Sequence, residues 1–227
     1  MAKRAQSKGQ CQYCGATVAK GTATRHLAAC PERKTIMEKA AQASKKAETL
    51  YYLRVQDAYD KSFWLDLEAR ASTTLEELDG YLRAIWLECC GHMSQFSFGG
   101  WQGQEIPMRQ TIGKVLRLGD TLTHIYDFGT SSYTLVKLVE TRKGAPTTPF
   151  PIDLMMRNFM PETACQECDQ PAQWFCVECQ IEDQCPGLLC DQHAEDHPHE
   201  DYDGVVPLVN SPRMGLCGYE GPADPPY

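Results

Sequence analysis

Apolar and polar residues alternate in two stretches between residues 50 and 70. The stretches are LYYLRVQDA and KSFWLDLEAR. In the second stretch, one face carries Phe63, Leu65 and Leu67, and the other carries Trp64, Asp66 and Glu68. A period of two is typical of β-strands, so we predict a strand in each stretch.

The segment that follows has the period of an amphipathic helix. Thr73 and Glu76 stand three positions apart, the spacing of a capping box that begins a helix. The predicted helix, TLEELDGYLRAIWLECC, then carries an apolar stripe of Leu75, Leu78, Leu82, Ile85 and Cys89. Further strands are predicted in SQFSFGG, LTHIYDF and SYTLVKLVE, the last two joined around Gly129. Two strands, a helix and several more strands predict an α+β core with small modules at its ends.

Cysteine content indicates what those modules are. The chain has 227 residues, of which 12 are cysteine and only 42% are hydrophobic, so part of it must fold on something other than an apolar core. The start, MAKRAQSKGQ, has no apolar stretch typical of a secretory signal, and no run of about 18 apolar residues predicts a membrane span. We therefore expect a cytoplasmic protein, in which Cys-x-x-Cys pairs indicate metal sites rather than disulfides.

The first candidate site is CQYCGATVAKGTATRHLAAC, with Cys11, Cys14, His26 and Cys30 in the order C-x2-C-x11-H-x3-C. Gly15 allows the turn after the first pair, and a short helix from Thr22 or Thr24 would aim the second pair the same way. The segment resembles small C2HC zinc fingers, and a free finger this short would be largely unfolded without zinc. The alternative is free thiols in a basic tail. A helical linker, ERKTIMEKAAQASKKAETL, follows Pro31.

The third segment, CQECDQPAQWFCVECQIEDQCPGLLCDQHAEDHPHED, holds four ligand pairs, enough for two tetrahedral zinc ions. They are Cys165 with Cys168, Cys176 with Cys179, Cys190 with His193, and His197 with His199. Seven residues between the first two pairs make a short loop for a shared zinc. We therefore expect alternate pairs to share a metal, an order that resembles the B-box zinc-finger pattern, with consecutive pairing as the alternative. Cys185 and Cys217 are interpreted as thiols outside these sites.

The core carries a family resemblance. The strings YYLRV, TTLEELDGYLRAIW, HMSQF and LGDTLTHIYDFGTSSYTLVKLVE resemble the Ri-plasmid ORF-3-like domain family, also labelled TnpR-like and associated with insertion elements, over about residues 50–145. Where that family usually reads Y-D-F-G-D followed by Trp and His, this chain continues from Gly129 with Thr130. The resemblance implies an α+β core and an association with mobile elements or plasmids, and it implies no established reaction. The third segment is similar to the C-terminal zinc module found beside such domains.

Charge is distributed unevenly along the chain. Residues 1–46 carry ten Lys and Arg against two Asp and Glu, whereas residues 161–227 carry one against fourteen. A polyanion is attracted to the first end and repelled by the second. We therefore expect nucleic acid to bind at residues 1–46 and a protein partner at 161–227.

These features predict four regions: a C2HC finger at 1–32, a helical linker at 33–49, an ORF-3-like core at 50–160 and a two-zinc cross-braced module with its tail at 161–227. Three zinc ions and no catalytic residue are expected.

The favoured function is non-enzymatic tethering of nucleic acid to a protein. One alternative is a metal-dependent nuclease or recombination factor using core carboxylates such as Asp120 and Asp127; another is an adaptor that binds only protein. Cys89, Cys90 and His92 are interpreted as structural, because neighbours on one helix do not face each other.

Overall fold

The computed structural model describes residues 7–44, 46–202 and 204–227. A large antiparallel sheet with helices packed against it confirms the predicted α+β class. Within the described residues, no helix is both long and apolar enough to cross a lipid bilayer.

The strands follow in chain order. They are β1 Lys8–Cys11, β2 Thr17–Ala19, β3 Glu48–Asp57, β4 Trp64–Arg70, β5 Ser94–Ser97, β6 Glu105–Ile106, β7 Thr121–Tyr126, β8 Ser132–Gly144, β9 Ile152–Asn158, β10 Trp174–Cys176, β11 Leu188–Leu189 and β12 Val205–Pro207. The strands predicted between residues 50 and 140 correspond to β3, β4, β5, β7 and β8.

The described residues also form six α-helices. They are α1 Ala23–Ala29, α2 Pro31–Ala43, α3 Leu75–Leu82, α4 Ile112–Val115, α5 Val177–Ile181 and α6 Asp191–Glu195. The helix α1 begins after Thr22, as predicted. The helix α2 covers only the first part of the predicted helical linker, because it ends at Ala43 and Glu48 already belongs to β3.

Two sheets organise the described part of the chain. The larger has nine strands in the order β2-β1-β9-β4-β3-β8-β7-β5-β6, and the smaller has three in the order β11-β10-β12. Every strand pairing is antiparallel. Since β1 and β2 belong to the larger sheet, the residues of the predicted finger extend the core sheet. Separate folding of residues 1–32 and 50–160 stays a prediction.

Strand β4 is buried on both faces. Leu65 and Leu67 pack in the main core, which also contains Leu78 of α3. On the opposite face, Trp64 packs in a second cluster with Leu27 of α1. The sheet is therefore covered by α3 on one side and by the N-terminal segment on the other, which explains why neither face of β4 is exposed.

Helix α3 starts one residue later than predicted. The capping box is formed by Thr74, whose hydroxyl accepts from the Glu77 N–H, and by the Glu77 carboxylate, which accepts from the Thr74 N–H. Thr73 is instead buried, and its hydroxyl donates to the Pro151 carbonyl oxygen. Thr73 and Glu76 match the same spacing, so the spacing alone could not separate the two pairs.

The predicted helix through Cys90 ends early. Residues Arg83–Leu87 form a π-helical turn, and Glu88 is already extended. The Arg83 side chain stabilises this turn, because its guanidinium donates to Asp79, to Glu88 and to the His92 carbonyl oxygen. Cys89 and Cys90 consequently lie beyond the helix, where the chain is free to turn.

The segment after β12 packs on the core. The Ser211 hydroxyl donates to the Trp86 carbonyl oxygen at 2.6 Å, and Arg213 is fully buried. The Tyr227 ring stacks on Phe150 with 4.2 Å between ring centroids. Because these aromatic and polar groups find partners on the core, the order of this segment comes from tertiary contacts rather than from its own sequence pattern.

Candidate metal centres

The N-terminal cluster is assembled by one hairpin and one short helix. Cys11 ends β1, Cys14 lies in the turn before β2, His26 lies on α1, and Cys30 follows directly after that helix. Gly15 has φ of +70°, the left-handed conformation for which glycine was predicted there. All four ligand atoms lie within 4.8 Å of one another, and the Cys14 Sγ is 3.4 Å from the His26 Nε2.

This cluster is docked on the main sheet by strand pairing. Gly9 of β1 pairs with Asn158 of β9, and Gln10 pairs with Arg157. A Cβ on Gly9 would overlap the Arg157 carbonyl oxygen and lie 2.8 Å from the Trp64 ring, so only glycine permits this close approach. The predicted finger therefore gains support from the sheet as well as from any bound metal.

Buried ion pairs fill the interface between the N-terminal segment and the sheet. Arg54 forms a bidentate pair with the fully buried Asp66, with both distances 2.8 Å. Arg33 of α2 reaches Glu68 at 3.0 Å. Burial lowers the pKa of Lys20 to about 8, with the charge of Arg54 the next cause. Glu68 thus binds the N-terminal segment directly, whereas Asp66 holds Arg54 of β3, whose guanidinium donates to the Lys20 carbonyl oxygen.

The eight C-terminal ligands gather in two groups of alternating pairs. One group contains Cys165, Cys168, Cys190 and His193, and the other contains Cys176, Cys179, His197 and His199. In the first group, the His193 Nδ1 lies 3.4, 3.5 and 3.3 Å from the sulfurs of Cys165, Cys168 and Cys190. In the second, the Cys179 Sγ lies 3.3 Å from the His197 Nε2 and 3.4 Å from the His199 Nδ1.

The small sheet positions the alternating pairs. Strand β10 lies between β11 and β12. Cys176 of one group is the last residue of β10, and Cys190 of the other group directly follows β11. Cys176 also caps α5, because its sulfur accepts from the Cys179 N–H. Gly187 has φ of +68°, and a Cβ there would overlap the Cys176 carbonyl oxygen. The positions of both pairs are therefore fixed by the backbone.

Donor chemistry and spacing fit zinc. Zn–S bonds of about 2.3 Å and Zn–N bonds of about 2.0 Å in a tetrahedron put two sulfurs about 3.8 Å apart, and sulfur and nitrogen about 3.5 Å apart. The Cys168 and Cys190 sulfurs are 3.8 Å apart, and the sulfur-to-nitrogen distances above cluster near the expected value. The His199 Nε2, the ring nitrogen that does not face the sulfurs, lies 3.5 Å from an Asp183 carboxylate oxygen, the contact that commonly orients a zinc-binding histidine.

The thiols differ in how readily they ionise. Burial raises the pKa of Cys165, but backbone N–H donors from Glu167 and Cys190 and a hydrogen bond from His193 outweigh it and lower the pKa to about 6. Burial raises the pKa of Cys179 to about 12. Because metals bind the thiolate, Cys165 is ready to bind at neutral pH, whereas Cys179 must release its proton to solvent as the ion binds.

Two more groups in the described part of the chain could hold a metal, and sequence reasoning missed both. Cys89, Cys90, His92 and Cys217 form one; Cys179, Asp183 and Cys185 form the other and share Cys179 with the second C-terminal group. The helix argument against Cys90 and His92 was wrong, because the helix ends at Leu87. Their sequence did contain a signal, Cys-Cys-Gly-His, but its fourth ligand lies more than a hundred residues away.

Comparison with known proteins gives no family or named relative. No family model matches the chain, and no curated protein matches it. One structure that it resembles is a crystal structure of a protein of unknown function from Methanosarcina mazei Go1. The two share 15% sequence identity and align with a TM-score of 0.40, over 48% of this chain and 69% of that one.

Proposed function

We propose that this protein is a non-enzymatic zinc-binding protein that tethers nucleic acid at its basic N-terminal end to a protein partner at its acidic C-terminal end. The observation that carries the proposal is that three four-ligand Cys/His clusters lie at the oppositely charged ends of the chain. Four protein ligands leave no position for a reacting water, which is typical of structural rather than catalytic zinc.

Exposed basic residues on the N-terminal segment supply the nucleic-acid surface. Lys8, Arg25, Lys34 and Lys39 are exposed, whereas Lys20 and Arg33 are engaged with the core. Exposed Lys and Arg side chains bind phosphates and release condensed counterions, so binding weakens steeply with salt. Residues 1–6 and 45, which include further basic residues, lie outside the described residues.

The acidic end favours a protein partner with a basic surface. Arg213 is the one basic residue among residues 161–227, and it is fully buried. Every exposed charge described on this segment is therefore acidic. Such a surface repels nucleic acid and attracts Lys and Arg on a partner.

Two observations count against the metal-dependent nuclease. Asp120 and Asp127 lie at opposite ends of β7, and a strand of that length separates them by about 20 Å, too far to share a metal ion. Asp127 is also occupied, because it accepts from Arg213 at 2.7 Å and from the Gly129 N–H. These carboxylates therefore do not supply a divalent-metal site.

Binding of labelled DNA and RNA oligonucleotides, measured by fluorescence anisotropy over a range of salt, tests the proposal. We expect the double variant Arg25→Glu with Lys34→Glu to lose most affinity and to flatten the salt dependence. The matched control is Arg109→Glu with Lys114→Glu, which changes the same charge at exposed positions of the core. Unchanged binding in the first variant, or equal loss in both, would contradict the proposal. Absence of binding in the wild type at low salt would favour the protein-only adaptor.

The resemblance to ORF-3-like domains adds an expectation about context. If it reflects descent, the gene should lie beside plasmid or insertion-element genes. The genomic neighbourhood tests this part of the proposal, and it does so independently of the binding assay.

A further inference from the structure

Four side chains from distant parts of the chain meet beside the end of helix α3. Cys89, Cys90 and His92 come from the loop after the π-helical turn, and Cys217 comes from the tail. Their four ligand atoms all lie within 4.8 Å of one another. None of them belongs to the three clusters described above.

The distances within this group approach those of a tetrahedral site. The Cys90 Sγ lies 3.7 Å from the Cys89 Sγ and 3.9 Å from the Cys217 Sγ. The His92 Nε2 lies 3.0 Å from the Cys90 Sγ and 3.2 Å from the Cys217 Sγ. The sulfur separations match the value of about 3.8 Å that zinc imposes, and the nitrogen is slightly closer than the value of about 3.5 Å.

The backbone is shaped to bring these ligands together. Gly91 has φ of +77°, which reverses the chain between Cys90 and His92. Cys217 has φ of +54°, a left-handed conformation that is uncommon and unfavourable for a residue with a Cβ. A residue held in such a conformation indicates that the surrounding structure requires its side chain in that place.

Charged and polar neighbours hold the loop in position. The Tyr126 hydroxyl accepts from the Cys89 and His92 N–H groups and donates to Glu88. The Arg83 guanidinium holds the His92 carbonyl oxygen at 2.6 Å. These contacts fix the loop that carries Cys89, Cys90 and His92.

The local charge also suits a metal–thiolate centre. Three thiolates and one divalent ion carry a net charge of −1. The buried Arg213 guanidinium lies 3.4 Å from the Cys89 Sγ and so offsets that charge. Asp127 lies 3.4 Å from the His92 Nε2 and 2.7 Å from Arg213. When the His92 Nε2 binds a metal instead of a proton, Asp127 keeps its partner in Arg213.

We propose that Cys89, Cys90, His92 and Cys217 form a fourth zinc site, which fastens the tail to the core. Zinc suits the set because three thiolates and one imidazole are a complete tetrahedral shell. Cys90 and Cys217 are exposed, whereas every cysteine of the other three clusters is buried or partly buried. This ion is therefore the first of the four to be lost to a chelator, and its loss releases the tail without unfolding the core.

Native mass spectrometry of the zinc-loaded full chain, under reducing conditions, tests the proposal. We expect about four zinc ions on the wild type, and one fewer on Cys217→Ser and on Cys90→Ser. Both residues are exposed, so serine fits without repacking. The matched control is Met93→Ser, which removes an exposed sulfur-containing side chain beside His92 that belongs to none of the candidate metal groups, and it should keep the wild-type count.

A wild-type count of about three, unchanged in Cys217→Ser, would overturn the fourth site and leave the other three standing. A Cys90–Cys217 disulfide in protein isolated without reductant, with about three zinc ions bound even after reduction, would overturn it as well. Loss of zinc from every cluster would count instead against the proposed function. Hydrogen exchange gives a second readout: the tail from Ser211 to Tyr227 should exchange faster in Cys217→Ser than in Met93→Ser.

Discussion

At the residue scale, the interior of the protein holds charged side chains in ion pairs. Asp66 and Glu68 occupy polar positions of an alternating strand, where the sequence pattern predicts exposure. Both are nevertheless buried under the N-terminal segment with arginine partners. Arg213 lies in an acidic and Pro-containing tail, yet it is fully buried against Asp127. Alternation predicts which residues share a face, but only tertiary contacts decide what covers that face.

The metal-ligand pairs were easier to predict, because their spacing is local and chemically specific. The pairs Cys165 with Cys168 and Cys190 with His193 each lie within one turn of chain. Their assignment to a common group required an argument about loop length, and the structure gathers them as that argument expected. Cys217 could not be found in this way, since its neighbours in sequence contribute no second ligand.

Alternate pairing can be tested with two single substitutions. His193→Ala removes a ligand from the group of Cys165 and Cys168 and should leave the other group intact. We expect those two cysteines to react with an alkylating reagent before Cys176 and Cys179 do, as mapped by peptide mass spectrometry. Three remaining ligands can recruit water, so zinc affinity falls while the core stays folded.

The matched variant is His197→Ala, which should reverse the order of reactivity. If the two variants exposed the same cysteines at the same rates, alternate pairing would be wrong.

At the element scale, strand and helix positions followed from apolar periodicity, whereas their ends did not. Strands β3, β4, β7 and β8 lie where the alternation predicted them. Helix α3 begins one residue late and ends in a π-helical turn before the predicted stripe is complete. The sequence contains two Thr and two Glu at capping-box spacing, and the choice between them depends on Thr73 bonding to Pro151 across the fold.

The choice of cap gives a paired prediction for helix stability. Glu77→Ala removes the carboxylate that accepts from the Thr74 N–H at 2.7 Å, and we expect a loss of about 1 kcal/mol in the free energy of unfolding. Glu76→Ala, on the neighbouring residue of the same turn, should change stability by less than about 0.5 kcal/mol. Urea unfolding of the two variants measures the difference, and equal losses would show that Glu77 has no special role.

Docking of strand β1 gives a second prediction at this scale. Gly9→Ala places a methyl group against the Arg157 carbonyl oxygen and the Trp64 ring, so β1 must shift from β9. Overpacking of this kind costs about 1–3 kcal/mol. We expect faster hydrogen exchange in Lys8–Cys11 and Ile152–Asn158.

Gly80→Ala is the control, because a Cβ at that position in α3 meets no atom within 4 Å. It should stabilise the helix by up to about 1 kcal/mol and leave the exchange of β1 unchanged. Normal protection of β1 in Gly9→Ala would mean that the sheet does not require this close approach.

At the scale of the whole molecule, we expect one part of the chain to be stabilised by apolar burial and another by zinc. The central strands bury a large apolar core around Leu53, Leu67 and Trp86 that needs no metal. The C-terminal segment has only small apolar clusters, such as that of Phe175, Val177 and Val206. Structural zinc contributes on the order of 10 kcal/mol to small domains of this kind, so metal removal should unfold this segment while the core persists.

The dependence of the N-terminal segment on metal should be intermediate between that of the core and that of the C-terminal segment. Its ligand cluster shares buried residues with the main sheet, including Trp64 and Met156. Sequence spacing predicted which Cys and His side chains lie together but not the docking, because the contacts with β9 join residues about 150 positions apart. We therefore expect this segment to lose less structure on metal removal than an isolated finger would.

The zinc content of Cys217→Ser shows whether the three clusters at the two ends of the chain hold zinc. This variant lacks the exposed fourth group and keeps those three clusters. The protein should be purified without chelator, under reducing conditions, and its zinc measured against protein concentration. We expect about three zinc ions per chain, matching the three clusters that the variant keeps. A reproducible value of one or zero would contradict it.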